Sequence, residues 1–333
     1  MKVALLGPIA WRTPPLHYGP WELITSLLAE GLTAAGVDVT LFATLDSITK
    51  ATLDGVSPTG YEENPDIDGR VWEAIHVSHA LARSGEFDLV HNHLDWLPLA
   101  FSAHCAAPML TTIHGFSGPH ILPAYRRSAS KFVSISDSDR SPDLDYAGTV
   151  YHGVDLDGLP FNPVGGPGLV AFGRIHPDKG THLAIDIARA AGRKLTICGI
   201  VQDPGYFAER VEPHIDGDRV TYLGSVGPQD RASILGANAA LLHPIAFAEP
   251  FGLSVVESMA CGTPVIAYCR GSMPEVVDEG VTGRLVNTVP EAAAAVESIG
   301  SIDRGACSAR ARERFSASRM VADYLRIYDE VSR

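Results

Sequence analysis

Short apolar, β-branched runs alternate with longer stretches of helical period along the whole chain, and this alternation is the sequence form of βαβ units laid into parallel sheets. The pattern occurs twice. In the first half the expected strands are Lys2 to Leu6, Asp38 to Ala43, Leu89 to His91, Met109 to Ile113, Lys131 to Ile135 and Gly148 to Tyr151. In the second half they are Leu169 to Phe172, Lys194 to Cys198, Val220 to Leu223, Ala240 to Leu242 and Pro264 to Ala267. The clearest helix is Tyr18 to Ala35, where Leu23, Leu27, Leu28 and Leu32 share one face and Gly36 marks the end. Thr181 to Ala191 and Leu253 to Cys261 follow the same rule.

Between the halves, residues 158 to 168 are so dense in Gly and Pro that neither helix nor strand can run through them. They are expected to be a linker. The expected plan is therefore a first domain over 1–157, a linker over 158–168, a second domain over 169–315 and a terminal helix over 316–333. In that helix Met320, Tyr324, Ile327, Tyr328 and Val331 recur at helical period, with no strand after them. A length of 333 residues suits two such domains. Doubly wound domains bind ligands outside the carboxyl ends of their strands, so two of them are expected to face a shared cleft.

Composition narrows the function classes. With 26 basic and 39 acidic residues the net charge is −13, which argues against nucleic acid as a partner. No apolar run reaches the ~18 residues of a membrane span. After Lys2 only a four-residue apolar run follows, too short for a signal peptide, and the five cysteines are odd in number with no CxxC pair. A cytoplasmic location is expected. No G-x-G-x-x-G follows the first strand, so a nicotinamide enzyme is not indicated.

The most informative run is Ala248-Glu-Pro-Phe-Gly-Leu-Ser-Val-Val-Glu257, continued by Ser258-Met-Ala-Cys-Gly-Thr-Pro-Val265. Pro250 and Gly252 fix a turn with a helix starting close behind, and its first amides, around Phe251, Gly252 and Leu253, carry the positive end of the dipole. A phosphate suits that place. Glu249 lies just ahead of the helix start and Glu257 about a turn inside it, so they can reach different hydroxyls of one ligand. A second run, Phe172-Gly-Arg-Ile-His-Pro-Asp-Lys-Gly180, places Arg174 and Lys179 in a loop between strand and helix, where both can meet one diphosphate.

These runs resemble the Glu-x7-Glu motif and the phosphate-binding segment of the retaining family 4 glycosyltransferases, which have the GT-B fold, and the resemblance extends over nearly the whole chain. It implies an acceptor-side first domain, a nucleotide-sugar-binding second domain and a terminal helix returning to the first. Gly19 stands in the glycine loop after the first strand, but Pro20 replaces the second glycine many relatives have there and lacks an N–H. His114 ends the Thr111-Thr-Ile-His-Gly115 strand where the family places an active-site histidine. His152 stands where the family usually has Asn.

The segment His91-Asn-His-Leu-Asp-Trp96 gathers two imidazoles and a carboxylate, compatible with a metal, with lining of the acceptor pocket by His93, Asp95 and Trp96, or with packing. Relatives need no metal. Asp-x-Asp pairs occur at 66/68, 137/139, 143/145, 155/157 and 216/218, too many in an acidic chain to inform, and Asp137 reads as the start of a helix.

The resemblance thus implies transfer of a hexosyl unit from a UDP- or GDP-type sugar to a hydroxyl acceptor, with retention and with no metal or cofactor. His114, Arg174, Lys179 and Glu249 would be catalytic, and Gly19, Phe251, Gly252, Leu253 and Glu257 would complete the donor site. The competing classes are a nucleotide-sugar epimerase or phosphorylase of the same fold, and a regulator that binds nucleotide sugar without turnover.

Overall fold

A computed structural model describes residues 1–115 and 118–332. The chain forms two compact units, Met1–Gly153 with Ala317–Arg333, and Val154–Ser316.

The first unit carries β1 (Lys2–Leu6), α1 (Pro20–Ala34), β2 (Asp38–Phe42), β3 (Thr52–Asp54), α2 (Gly69–Ala82), β4 (Leu89–Asn92), β5 (Met109–Ile113), α3 (Leu122–Arg127), β6 (Lys131–Ser134) and β7 (Tyr146–Thr149). All pairs are parallel, in the order β3-β2-β1-β4-β5-β6-β7. β1 sits centrally, with Val3 paired to Val39 on one side and Leu89 on the other. A strand covered on both faces reads as an unbroken apolar run, and Val3, Ala4, Leu5 and Leu6 are all buried. Helix α1 begins two residues later than expected because Gly19 is its cap and Pro20 its first residue, a place where proline's fixed φ and missing N–H cost nothing.

The C-terminal helix, Ala317–Val331, belongs to this first unit, as the resemblance implied. Its buried stripe is Met320, Val321, Tyr324, Ile327 and Tyr328, the 3.6-residue period of a helix packed on one side. It packs on α1, where a Cβ added to Gly31 would stand 2.4 Å from Val321 Cγ2.

The second unit carries β8 (Leu169–Phe172), α4 (Thr181–Ala190), β9 (Leu195–Cys198), α5 (Pro204–Arg210), β10 (Val220–Tyr222), α6 (Pro228–Gly236), β11 (Ala240–His243), α7 (Leu253–Ala260), β12 (Val265–Tyr268), α8 (Met273–Val276), β13 (Gly283–Val286), α9 (Val289–Ser298) and α10 (Arg304–Phe315). Its sheet is parallel in the order β10-β9-β8-β11-β12-β13. Both units are thus doubly wound and Rossmann-like.

Residues 158–168 are neither helix nor strand, and they lie inside the second unit. Arg304 holds them there: its Nε donates to Asn162 O at 2.9 Å while its Nη atoms reach Asn238 O, Gly236 O and Thr263 Oγ1 at 2.8–3.0 Å. The chain passes between the units at 153/154 and 316/317, and Val154 N donates to Phe315 O at 2.9 Å.

Three sequence expectations are corrected. The last strand of the first sheet is Tyr146–Thr149, two residues earlier than expected, because Phe132 pairs with Tyr146 and the register slips just after it. Strands β3 and β13 were not anticipated: both are short sheet edges without a continuous apolar run. Asp137 begins a turn closed by Arg140 N, not a helix.

Candidate functional site

In the second unit the loop after β8 returns through a short turn, Pro177–Lys179, into α4. Gly180 joins them with φ of 66°, and a Cβ there would lie 2.1 Å from Pro244 O, so only glycine lets this loop approach the β11–α7 loop. Across that approach Lys179 Nζ meets Glu249 Oε2 at 2.5 Å and lies 4.8 Å from the Phe247 ring centre. His243, at the carboxyl end of β11, places Nε2 3.4 Å from the same Glu249 oxygen. Burial alone would raise the Glu249 pKa, but Lys179 and His243 outweigh it and hold the carboxyl down at about 2. Glu249 is therefore a fixed anion able only to accept hydrogen bonds.

Gly252 caps α7 with φ of 88°, the left-handed turn that swings the chain from Glu249 into the helix. Phe251 is buried, with its ring 5.7 Å from that of Phe315, so its contribution to any ligand is through the backbone. Glu257, also buried, accepts from Arg231 Nη1 at 2.7 Å, and the Arg231 guanidinium lies 5.2 Å from the Phe172 ring centre. Arg174 donates to the neutral amide of Gln202. Arg174, Lys179 and His243 line one small pocket with Phe172, Gly173 and Thr181. The two runs singled out in the sequence thus meet, and two groups the sequence did not single out, Arg231 and His243, each take one of the two glutamates. His243 was findable as the residue ending a strand; Arg231 carries no local signal.

In the first unit His114 follows β5 and is buried. Its Nε2 lies 2.9 Å from His93 Nδ1 and its Nδ1 3.3 Å from His152 Nε2. His93 Nε2 in turn lies 3.3 Å from His91 Nδ1. Trp21, the second residue of α1, stacks on His114 with ring centres 5.3 Å apart, so Gly19 and Pro20 set the helix start that covers this ring. Burial lowers the pKa of His114 to about 3 and holds His91, His93 and His152 well below the usual range, so all four rings are neutral.

His93 is buried in this row, Asp95 accepts from the Tyr125 hydroxyl, and Trp96 is 45% exposed. His91 and His93 bond to each other rather than converging on a point, and among the described residues no group of three or more His, Cys, Asp or Glu is placed to hold a metal ion. Of the Asp-x-Asp pairs, Asp68 caps α2 and Asp216 closes a turn through the amides of Asp218, Arg219 and Val220. Glu22, near Gly19, is buried and accepts from Trp11 N; burial raises its pKa to about 7.

Two parallel doubly wound units, with a C-terminal helix packed on the first, give the chain the GT-B fold. Residues 22–157 match the family described as glycosyltransferase family 4, and residues 162–316 match that described as glycosyl transferases group 1. The chain belongs to the family 4 glycosyltransferases and transfers sugar from a sugar nucleotide. It is 25% identical to glycogen synthase of Mycobacterium tuberculosis over 377 aligned positions, covering 95% of this chain and 90% of that protein. It is 33% identical to the D-inositol 3-phosphate glycosyltransferase of Mycolicibacterium smegmatis over 182 positions, 48% of this chain and 39% of that one. A glycosyltransferase involved in avilamycin A biosynthesis superposes with a TM-score of 0.77 at 22% identity, covering 100% of this chain and 98% of the other. Anabaena HepE in complex with UDP and glucose does so at 0.77 and 19% identity, covering 99% and 100%.

Among the described residues no helix is long and apolar enough to cross a membrane.

Proposed function

We propose that the chain moves a hexosyl unit from a nucleoside diphosphate sugar, of UDP or GDP type, to a hydroxyl acceptor, with retention of configuration and with no metal or cofactor. The observation that carries this reading is the pocket of Arg174 and Lys179 beside Glu249, close to the start of α7. Lys179 and Arg231 are each matched by a glutamate, whereas Arg174 is bonded to a neutral amide, so the cluster has cationic charge left for a diphosphate. The UDP bound by HepE supports a uridine donor as the first to test.

In this reading Arg174, Lys179 and the backbone from Phe251 to Leu253 stabilise the charge that develops on the diphosphate as the glycosidic bond breaks. Glu249 accepts hydrogen bonds from the donor sugar, Glu257 from the ribose through the oxygen Arg231 leaves open, and His114 orients the transferred sugar. The diphosphate oxygen that leaves the sugar takes the proton of the incoming hydroxyl, so no side chain is needed as base. Five free cysteines, three of them buried, suit a reducing, cytoplasmic compartment.

The test is a panel of UDP- and GDP-hexoses assayed for transfer and slow hydrolysis with excess chelator present, with the anomeric proton coupling of the product read by NMR. Turnover in chelator with the donor's configuration kept is the expected result. Activity restored only by a divalent ion, or an inverted product, would overturn the corresponding part of the reading.

A further inference from the structure

The loop between β12 and α8 lies against the β11–α7 loop and takes hold of its carbonyls. Arg270 Nη1 donates to Ile245 O at 3.2 Å, Ser272 N to Glu249 O at 2.8 Å, and the Ser272 hydroxyl to Phe251 O at 3.1 Å. Gly271 lets the two loops come this close, since a Cβ there would stand 2.3 Å from Glu249 N. Ser272 is fully buried, and its one hydroxyl hydrogen is given to Phe251.

A trans peptide carries its C=O and N–H on opposite edges, so a neighbour that fixes the carbonyl also fixes where the next residue's N–H points. The first of these peptides shows the result. Ile245 O is held by Arg270, and Ala246 N–H on the other edge donates to Asp178 O at 2.7 Å, in the loop that carries Arg174 and Lys179. The Glu249 peptide has no N–H to offer, because Pro250 follows. In the third, Phe251–Gly252, the carbonyl is on Ser272, so Gly252 N–H is turned away from the β12–α8 loop, and among the described residues it donates to no protein group. We propose that Ser272 is a positioning residue for sugar transfer, holding the Phe251 carbonyl so that Gly252 N–H faces the donor diphosphate.

The inference rests on the proposed donor site at the start of α7. Ser272→Ala leaves the backbone bond to Glu249 O in place, so Glu249 keeps that support, and removes only the hydroxyl that sets the 251–252 peptide. Gly252, without a Cβ, opposes rotation of that peptide less than any other residue would. Ser258→Ala is the matched control: Ser258 is equally buried, and its hydroxyl donates to Thr263 O at 3.0 Å, at the far end of α7.

The experiment labels the full chain with carbonyl-¹³C phenylalanine and ¹⁵N glycine. Phe-Gly occurs twice, at 172–173 and 251–252, so a carbonyl-filtered spectrum holds two amides, and Phe172→Tyr removes the one that belongs to Gly173. UDP, or GDP if UDP does not bind, is added to saturation, and kcat for transfer or donor hydrolysis is measured on the same proteins. An N–H that donates to an anionic oxygen makes a short bond, and its proton moves downfield. Gly252 is expected to move so in the natural protein and in Ser258→Ala, and to lose that displacement in Ser272→Ala. In Ser272→Ala kcat should fall about tenfold, with a smaller change in affinity for the bare diphosphate. A Gly252 amide unmoved by bound nucleotide in the natural protein, which needs no variant to fold, or one that moves equally in Ser272→Ala, would overturn the inference. So would an equal loss of kcat in Ser258→Ala. A natural protein that binds neither UDP nor GDP would overturn the proposed function and the inference with it.

Discussion

Arg174 and Lys179 line one pocket but stand on different supports, and the difference separates their substitutions. Arg174 is half-buried against a neutral amide, whereas Lys179 neutralises a buried carboxylate. Losing one preorganised donor to a charge that grows in the transition state costs ~10²–10³ in kcat, and that is the expected loss for both Arg174→Ala and Lys179→Ala, with a smaller change in donor KM. Only Lys179→Ala should also destabilise the fold, by up to about 3–5 kcal/mol, since removing one partner of a buried pair strands the other. Kinetics and melting curves on the two proteins check this; a raised KM at unchanged kcat would remove either residue from the catalytic list. The glutamates divide in the same way. Glu257→Ala is expected to weaken binding of the bare diphosphate, while Glu249→Ala impairs transfer more than binding, and calorimetry with the nucleotide distinguishes the two.

The contact of the C-terminal helix with α1 turns on a missing side chain. Gly31→Ala would set a Cβ 2.4 Å from Val321, and overpacking of that kind costs about 1–3 kcal/mol, more than the about 1 kcal/mol that alanine returns to a helix. A lower melting temperature is expected, with recovery in Gly31→Ala combined with Val321→Ala; no recovery would place the strain elsewhere. Elements of this size were legible where one face or both are buried. β1 was read to the residue because both its faces are covered, and the C-terminal helix because its apolar stripe has no sheet of its own to follow. β3 and β13 were not, since an edge strand such as Thr52-Leu-Asp54 is too short for alternation to register and has no apolar run. At the site, Lys179, Glu249 and Glu257 were legible because each lies in a compact run whose turn and helix start are local. Arg231 and the histidine row were not: Arg231 reaches Glu257 from another helix, and Tyr328 stands 237 residues from the His91 it bonds. Position in the fold, rather than spacing in the chain, brings those groups together.

Across the molecule the buried histidines make stability depend on pH well above the range in which carboxylates titrate. His76 is fully buried and lowered to about 4 by desolvation, His114 is lowered to about 3, and His91, His93 and His152 are lowered in the same direction. In the unfolded chain each returns to about 6.5. As pH falls through that value the unfolded chain takes up protons that the folded one refuses, so stability present at pH 7 and above is lost on acidification, by about 1.4 kcal/mol per pH unit for each such group. Glu22 acts the other way: its folded value of about 7 lies above its unfolded one, so the fold takes up that proton first and regains one group's worth. Five histidines stand against one glutamate, so the balance is a loss of stability as pH falls below about 6.5. Urea midpoints at pH 7.5, 6.5 and 5.5 should therefore be close between the first two and drop sharply at the third. His76→Leu should flatten the curve by one group, since it removes a proton acceptor from the unfolded chain. Equal midpoints at pH 7.5 and 5.5 would mean that the histidines already carry charge in the fold, which the neutral row around His114 does not allow.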